Sequence, residues 1–248
     1  MSSKPKTAAY RLRRYHLASV SLIALGLLPS VEAQADEGPV DIVISTPVMV
    51  GQTWSVGNFT VTDTGSIVGA SYGVSASTNG GIFLNDGSVA GGLSGVTSAG
   101  LITTFTNNDT IEGGTNGVNL ANASQVGTFT NGVSGVIKST DAHSRGLNNS
   151  ATITSLINEG SIYSETTTGG YGINNAAAAS IGSITNSGLI KGNYYAIFST
   201  GVIGPIENSG TISGNIYLND DHDLTFSGGE MVMGTLTGYA DDSIGTIT

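Results

Sequence analysis

The side chains best suited to chemistry lie in two short segments of this 248-residue chain. One segment is KSTDAHSRG, residues 138–146, and the other is YSETTTGGYG, residues 163–172. Carboxylates, an imidazole, cations and phenols bind polar partners or transfer protons. The candidate partner-binding residues are Lys138, Asp141, His143, Arg145, Tyr163, Glu165 and Tyr171. We expect them to form one site if the fold places the two segments side by side.

Catalysis by these residues is disfavoured. Asp141, His143 and Ser144 are the residue types of a serine hydrolase, but such close neighbours cannot align as acid, base and nucleophile. The chain also has no G-x-S-x-G elbow. A polysaccharide lyase needs clustered acids that bind calcium beside a base, and this chain has only 8 Lys and Arg residues. We expect no catalytic residues, and a carbohydrate-binding or polysaccharide-degrading protein is the alternative.

Metal and cofactor sites are also disfavoured. The chain has no Cys, which excludes disulfides and thiolate ligands. Asp220, Asp221 and Asp223 surround His222 and could hold calcium weakly. The glycine-rich nonapeptide of calcium-binding rolls is absent, so a solvated acidic turn is the favoured interpretation. We therefore expect no metal site and no cofactor.

The first 35 residues have the layout of a secretory signal peptide. Residues 1–16 carry five bases and no acid, and Leu17–Val31 is apolar and uncharged. The small residues Ala33 and Ala35 predict cleavage between Ala35 and Asp36. The apolar stretch is shorter than the roughly 20 residues that span a bilayer. We expect export across the inner membrane, with no transmembrane segment in the mature chain.

The charge of the mature chain limits its partners. After residue 35 only Lys138, Arg145 and Lys191 remain as bases, against 17 acids, which gives a net charge of −14. A basic face that could bind nucleic acid is therefore not expected.

One nine-residue sequence motif, which we call the phrase, recurs along the chain and predicts the elements that position these residues. An apolar lead residue is followed by Asn at the third position, Gly at the fifth, Ile or Val at the seventh and Gly at the ninth, as in FLNDGSVAG at 83–91. Two further short apolar segments complete each repeat. The lead residues are 20 to 28 positions apart. They are Val61, Phe83, Phe105, Phe129, Leu156, Ile184, Ile206 and Phe226.

Three short apolar segments per repeat predict a coil with three strands. Alternate residues of each strand point inward, and stacked coils satisfy one another's backbone groups. The fold class is therefore all-β, a parallel β-helix of about seven to eight three-stranded coils. A repeat near 22 residues favours a right-handed coil. Insertions at 138–146 and 163–172 fall at the same corner of consecutive coils. Separately, Glu112 is expected to form an ion pair with Lys138 in the next coil.

The recurrent Asn and Gly positions within the phrase have structural interpretations. Asn at the third position can form hydrogen bonds along the stack, and Gly at the fifth and ninth is expected to supply positive φ at corners. The predicted amide ladder comprises Asp63, Asn85, Asn107, Asn131, Asn158, Asn186 and Asn208.

An export signal followed by coils such as NSGTISGNIYL resembles the passenger region of autotransporter (type V secretion) proteins. The resemblance covers residues 61–234. It implies display at the cell surface or outer membrane, or secretion, and a role in adhesion or self-association with surface glycans or proteins. We expect the chain to depart from the family by lacking the C-terminal translocator barrel. We expect a fragment, a truncated gene or a partner translocator, and a periplasmic location if none exists.

The expected organisation has four parts. Residues 1–35 form the signal peptide and 36–60 an N-terminal cap or imperfect first coil. Residues 61–234 form the repeat domain, and 235–248 an acidic start of a further coil or a truncated end. Trp54 is expected to cover the open end of the stack, with carbohydrate stacking as the alternative.

Overall fold

The computed structural model describes residues 41–77, 80–122, 124–219, 230–232 and 236–238. Within these ranges the regular elements are all β-strands, and every strand pair is parallel. The chain winds through about seven turns, so the all-β parallel solenoid predicted from the repeat is confirmed. The predicted signal peptide with its cleavage site at Ala35 and Asp36, and the acidic group Asp220, Asp221 and Asp223, lie outside the described residues.

The strands form three columns, and each full coil gives at least one strand to each column. The first column contains β1 Ile42–Ile44, β4 Phe59–Val61, β7 Ile82–Asn85, β10 Leu101–Asn107, β13 Gln125–Asn131, β16 Thr152–Asn158, β19 Ser180–Ile181, β20 Ile184–Asn186, β22 Val202–Ile203 and β23 Ile206–Asn208. The second contains β2 Pro47–Val48, β5 Ser66–Gly69, β8 Ser88–Gly91, β11 Thr110–Gly113, β14 Val136–Ser139, β17 Ser161–Ser164 and β25 Glu230–Val232. The third contains β3 Gln52–Trp54, β6 Tyr72–Ala76, β9 Ser94–Ser98, β12 Asn116–Leu120, β15 Arg145–Asn149, β18 Tyr171–Asn175 and β26 Leu236–Gly238. Two long strands, β21 Leu189–Ser199 and β24 Thr211–Leu218, continue from the second column into the third.

The core lies inside the coils and consists of rows of equivalent residues. Phe59, Phe83, Phe105 and Phe129 stack in the first column, and each is fully buried. Their ring centroids are 5.9, 4.6 and 4.3 Å apart in sequence order. Ile and Leu continue the row as Leu156, Ile184 and Ile206. Aliphatic rows in the other two columns close the core, so the coils bury their apolar surface inside one continuous stack.

A complete coil precedes the first recognisable copy of the phrase. The short strands β1, β2 and β3 pair with β4, β5 and β6, so residues 42–54 supply one strand to each column. Trp54 at the end of β3 is fully buried, with its ring 6.0 Å from those of Phe59 and Phe83. Its indole N–H donates to the Gly57 carbonyl at 3.1 Å. Trp54 is therefore a core residue at this end, and a sugar cannot stack on it.

The predicted start of the first column was wrong by two residues. Phe59, not Val61, pairs with Phe83, and Val61 pairs with Asn85. The turn between β4 and β5 holds two more residues than the equivalent turn of the next coil, and it is closed by a hydrogen bond from the Gly65 N–H to the Thr62 carbonyl. Because this turn takes up the difference, Ile67 still pairs with Val89 as the phrase predicted. The spacing of 22 residues between Ile67 and Val89 in the second column matches the repeat, so the two extra residues could not be recognised from the sequence.

The recurrent Gly residues are required by contact rather than by positive φ. Among the described glycines only Gly57, Gly169 and Gly214 have φ in the left-handed region. The expectation of positive φ was therefore wrong for the fifth position, and at the ninth position it holds only for Gly214. A Cβ on Gly87 would overlap backbone oxygens of Thr62 and Gly65 in the preceding coil. At the ninth position a Cβ on Gly113 would overlap the Asn116 carbonyl of its own coil. The absence of a side chain lets the backbone turn tightly while the coils stay in contact.

A ladder of buried amides runs through the corner after the first column. Each Asn Nδ2 donates to the Oδ1 of the next coil, with distances of 2.8 Å from Asn85 to Asn107, 2.8 Å from Asn107 to Asn131, and 2.8 Å from Asn131 to Asn158. Two bonds of 2.6 Å continue it through Asn186 to Asn208. The second hydrogen reaches backbone oxygens such as Gly135 O. The ladder therefore satisfies buried amides that would otherwise be costly.

Asp63 does not belong to this ladder, contrary to the prediction. It lies exposed in the turn after β4, and Val61 occupies the equivalent position. Because Val61 has no donor, the Oδ1 of Asn85 is buried without a hydrogen-bond partner in the described structure. A second, shorter ladder at the end of the third column was not predicted. There Asn149 donates to Asn175 at 2.8 Å, and Asn175 donates to Ser199 Oγ at 2.9 Å.

Replacing Phe105 with Ala should lower the free energy of unfolding by about 3 to 5 kcal/mol, because it removes the middle of the ring stack and leaves a cavity. Thr103→Ala changes an exposed residue of the same strand and should alter stability by less than about 0.5 kcal/mol. Urea unfolding followed by circular dichroism measures both. Equal free energies of unfolding for the two variants would contradict a close-packed stack of phenylalanine rings in the first column.

Asn131→Asp should destabilise the protein by about 2 kcal/mol or more at neutral pH, because the buried carboxylate cannot donate to Asn158. Burial and the facing oxygens raise the pKa of the new carboxyl in the folded state. The protonated acid can still donate, so the loss should be small below the ordinary Asp pKa of about 3.9 and grow as the pH rises above it. Asn119→Asp, on the half-exposed outer surface, is the matched control and should show little of this dependence. Unfolding midpoints at several pH values test the difference.

Candidate functional site

The two segments singled out from the sequence lie side by side. Residues 140–144 connect β14 to β15, and residues 165–170 connect β17 to β18 one coil further on. Backbone hydrogen bonds join the two loops: the His143 N–H donates to Thr168 O at 2.9 Å, and the Tyr171 N–H donates to Ser144 O at 2.9 Å. The structure therefore brings the predicted residues into one region, where they divide into three groups.

The first group surrounds Lys138 on the outer face of the second column. Its ammonium is 3.1 Å from Glu112 Oε2 in the preceding coil and 3.0 Å from Glu165 Oε1 in the following one. The Tyr163 hydroxyl donates to the same Glu165 oxygen at 3.4 Å. The pairing of Glu112 with Lys138 was predicted, whereas the second partner, Glu165, was not.

These contacts shift the pKa values within the Lys138 group. Burial alone would lower the pKa of Lys138, but hydrogen bonds and charge from Glu165 and Glu112 outweigh it and raise this pKa above its ordinary value. Burial, followed by the negative charge of Glu165, raises the pKa of Tyr163. Lys138 is therefore a positive charge already neutralised by two carboxylates, and the group resembles a surface ion-pair network more than a base ready to react.

The second group, His143 and Asp141, occupies the corner between the columns and is exposed. His143 has φ of 56°, the only positive value among the described residues other than glycine. A Cβ on Gly169 would overlap the imidazole, so the ring packs directly on the backbone of the next loop. The Asp141 carboxylate lies against Gly114 in the preceding coil. Within the described residues neither side chain forms an ion pair.

The third group begins with Arg145 and Tyr171, which are paired residues on the outer face of the third column. The Arg145 guanidinium carbon is 5.5 Å from the centre of the Tyr171 ring, a cation–π distance. Its Nε is buried and has no hydrogen-bond partner within the described structure. Arg145 is therefore a cation whose described contact is an aromatic face rather than a carboxylate.

An aromatic cluster extends from Tyr171 along the third column and was missed by the sequence interpretation. The Tyr195 ring is stacked 5.9 Å from that of Tyr171, and Phe198 is 5.0 Å from Tyr195. Tyr217 stacks on Phe198 at 4.9 Å, and Tyr194, 49% exposed, lies edge-on to Tyr195 at 4.4 Å. Burial, together with a hydrogen bond to Tyr194, raises the pKa of Tyr195. The motif YYAIF at 194–198 was the available signal, but the pattern alone did not show that its rings meet those of adjacent coils.

A row of half-exposed amides leads into this cluster. Asn174 donates to Asn148 Oδ1 at 2.7 Å, Asn148 donates to Asn119 Oδ1 at 2.8 Å, and Asn119 donates to Thr97 Oγ1 at 3.3 Å. The row continues at the equivalent positions Phe198 and Tyr217. Together with Arg145 and the aromatic cluster, these residues form a continuous surface, which we call the amide–aromatic strip.

The described residues contain neither a metal-binding cluster nor a membrane-spanning helix. In the ranges given above, no set of three or more His, Cys, Asp or Glu residues is grouped to hold a metal ion. Nor do these ranges include a helix with the length and apolar character to cross a membrane.

Comparisons of the chain with family models, curated proteins and solved structures found no match.

Lys138→Gln should lower the free energy of unfolding by about 1 kcal/mol at low salt, because it leaves Glu112 and Glu165 facing each other without a cation. High salt should reduce the loss by screening the remaining charges. Lys191→Gln removes the same charge from the same outward row two coils away and should have a smaller effect. Urea unfolding at low and high salt compares the two variants. An equal, salt-independent loss in both would show that the pairing contributes nothing.

Proposed function

We propose that the protein is a non-enzymatic, exported interaction protein, similar to an autotransporter passenger, that acts in adhesion or self-association at the cell surface. The observation that carries the proposal is the amide–aromatic strip on an outer face of the solenoid. Its rings and amides are fixed by stacking between coils rather than carried on free loops. A surface held in place before binding loses little entropy when a partner is bound.

The residue types of the strip support this proposal. Tyr and Arg are enriched among the residues that contribute most to binding energy in interfaces. Tyr171, Tyr195 and Phe198 are each half-buried, so they present ring area and remain accessible. The inward rows, in contrast, are occupied by core residues and by the buried amide ladder. The outer face is therefore where this chain can acquire a specific partner.

The cellular setting belongs to the same proposal. Residues 1–35 would direct export across the inner membrane, and a translocator supplied by further chain or by a partner would give access to the surface. Without one, the periplasm is the expected location. The alternative of a polysaccharide-degrading enzyme predicts the release of reducing sugar, which would depend on His143 or Arg145.

Purified chain from residue 36 to 248 should bind bacterial or host cells, or associate with itself, and both can be measured by flow cytometry and analytical ultracentrifugation. The double variant Tyr194→Ala/Tyr195→Ala should weaken binding about tenfold or more, because it removes two central rings of the strip. Tyr72→Ala is the matched control, since Tyr72 is an exposed tyrosine on the outer face of the same column, near the opposite end. Melting curves establish that each variant is folded.

Two outcomes would overturn the proposal. One is the absence of both cell binding and self-association for the folded chain. The other is an equal effect of the double variant and of Tyr72→Ala. Release of reducing sugar from a polysaccharide, lost in His143→Ala, would instead favour the enzymatic alternative.

A further inference from the structure

The amide–aromatic strip carries no carboxylate. The chain has 18 acids, yet the third-column segments from Tyr72 to Leu218 contain none. Their one charged residue is Arg145. An acidic protein thus presents one carboxylate-free face with a single cation on it. Such a face does not repel a negatively charged group that approaches Arg145.

Arg145 itself indicates the kind of group that would bind. Its guanidinium lies over the Tyr171 ring, and its Nε is shielded from solvent without a hydrogen-bond partner in the described residues. The side chain as a whole is only half-buried, so a ligand would meet the other donors of the guanidinium rather than Nε. The planar fork of guanidinium donors matches the two oxygens of a carboxylate.

The neighbours of Arg145 favour a sugar over a protein as the bearer of that carboxylate. The outward positions of the third column from Tyr72 onward hold polar, cationic and aromatic residues and no aliphatic residue. Those that stay half-exposed around Arg145 are Asn119, Asn148, Tyr171, Asn174, Tyr195 and Phe198. The C–H face of a sugar ring packs on an aromatic ring, and its hydroxyls pair with amides. Each amide of the row uses one donor along the row and has a second hydrogen for a ligand.

We infer that the amide–aromatic strip binds an acidic glycan, with the carboxylate of one sugar on Arg145 and neighbouring sugars on the tyrosines and the amide row. The inference rests on the proposed function and names the class of its partner. The parallel stack repeats equivalent positions along the strip at the strand spacing, so a linear chain of sugars is an appropriate occupant. The Lys138 group takes no part, because its cation is already paired with Glu112 and Glu165.

The test is a printed array of uronate- and sialate-containing oligosaccharides, each beside its carboxyl-reduced counterpart, probed with the chain from residue 36 to 248. At least one acidic oligosaccharide should bind, and its reduced counterpart should bind about 10- to 100-fold more weakly, the usual range for a lost charge-assisted hydrogen bond. Calorimetry with the best acidic oligosaccharide should give a similar loss for Arg145→Gln and a loss for Tyr195→Ala. Lys191→Gln, which removes a cation from the neighbouring column, should bind normally.

Several results would overturn the inference. These are no binding to any acidic oligosaccharide, equal binding of acidic and reduced forms, or equal affinities for Arg145→Gln and Lys191→Gln when both variants melt like the parent chain. The proposed function has a separate readout. If the chain binds cells or itself through the tyrosines but Arg145→Gln has no effect, the interaction protein remains and only the glycan class is wrong.

Discussion

The fold depends on a single constraint, which is that equivalent residues of successive coils must lie directly above one another. Parallel pairing imposes it on the backbone, and the buried amide ladder imposes it on side chains, since each Asn needs the next at hydrogen-bond distance. A shift of one residue would turn every inward side chain outward. Insertions are therefore accommodated at corners, as in the turn after Val61 and in the two loops that carry His143 and Gly169. The strands on either side of these corners keep their register.

This constraint separates structural from functional positions. Inward positions are restricted to residues that repeat their neighbour, such as the phenylalanine stack and the asparagines. Outward positions are free of that demand, and there the residues change along the stack, from Ser and Thr through Asn to aromatic rings. Function on such a scaffold depends on which outward residues become neighbours. Arg145 and Tyr171 are 26 positions apart in sequence and are brought into contact only by the winding of the chain.

Much of this architecture could be predicted from the phrase itself. The apolar lead, the third-position Asn and the seventh-position Ile or Val gave the strand columns and most of the amide ladder. The error at Asp63 arose because a two-residue insertion left the second-column spacing unchanged. The aromatic cluster was not predicted because its contacts depend on rotamers and on the continuation of β21 and β24 into the third column. Repeat spacing shows which residues share a row, but it does not show which side chains are in contact.

The amide ladder also has a direction. Every Nδ2 from Asn85 to Asn186 points toward the following coil, and every Oδ1 from Asn107 to Asn208 faces the preceding one. Coils are thus interchangeable units with a donor side and an acceptor side. Duplication or loss of one whole unit in evolution would join a donor side to an acceptor side again, leaving no mismatched junction. The length of this solenoid can therefore vary by entire coils, whereas a change by part of a coil would have to be absorbed at a corner.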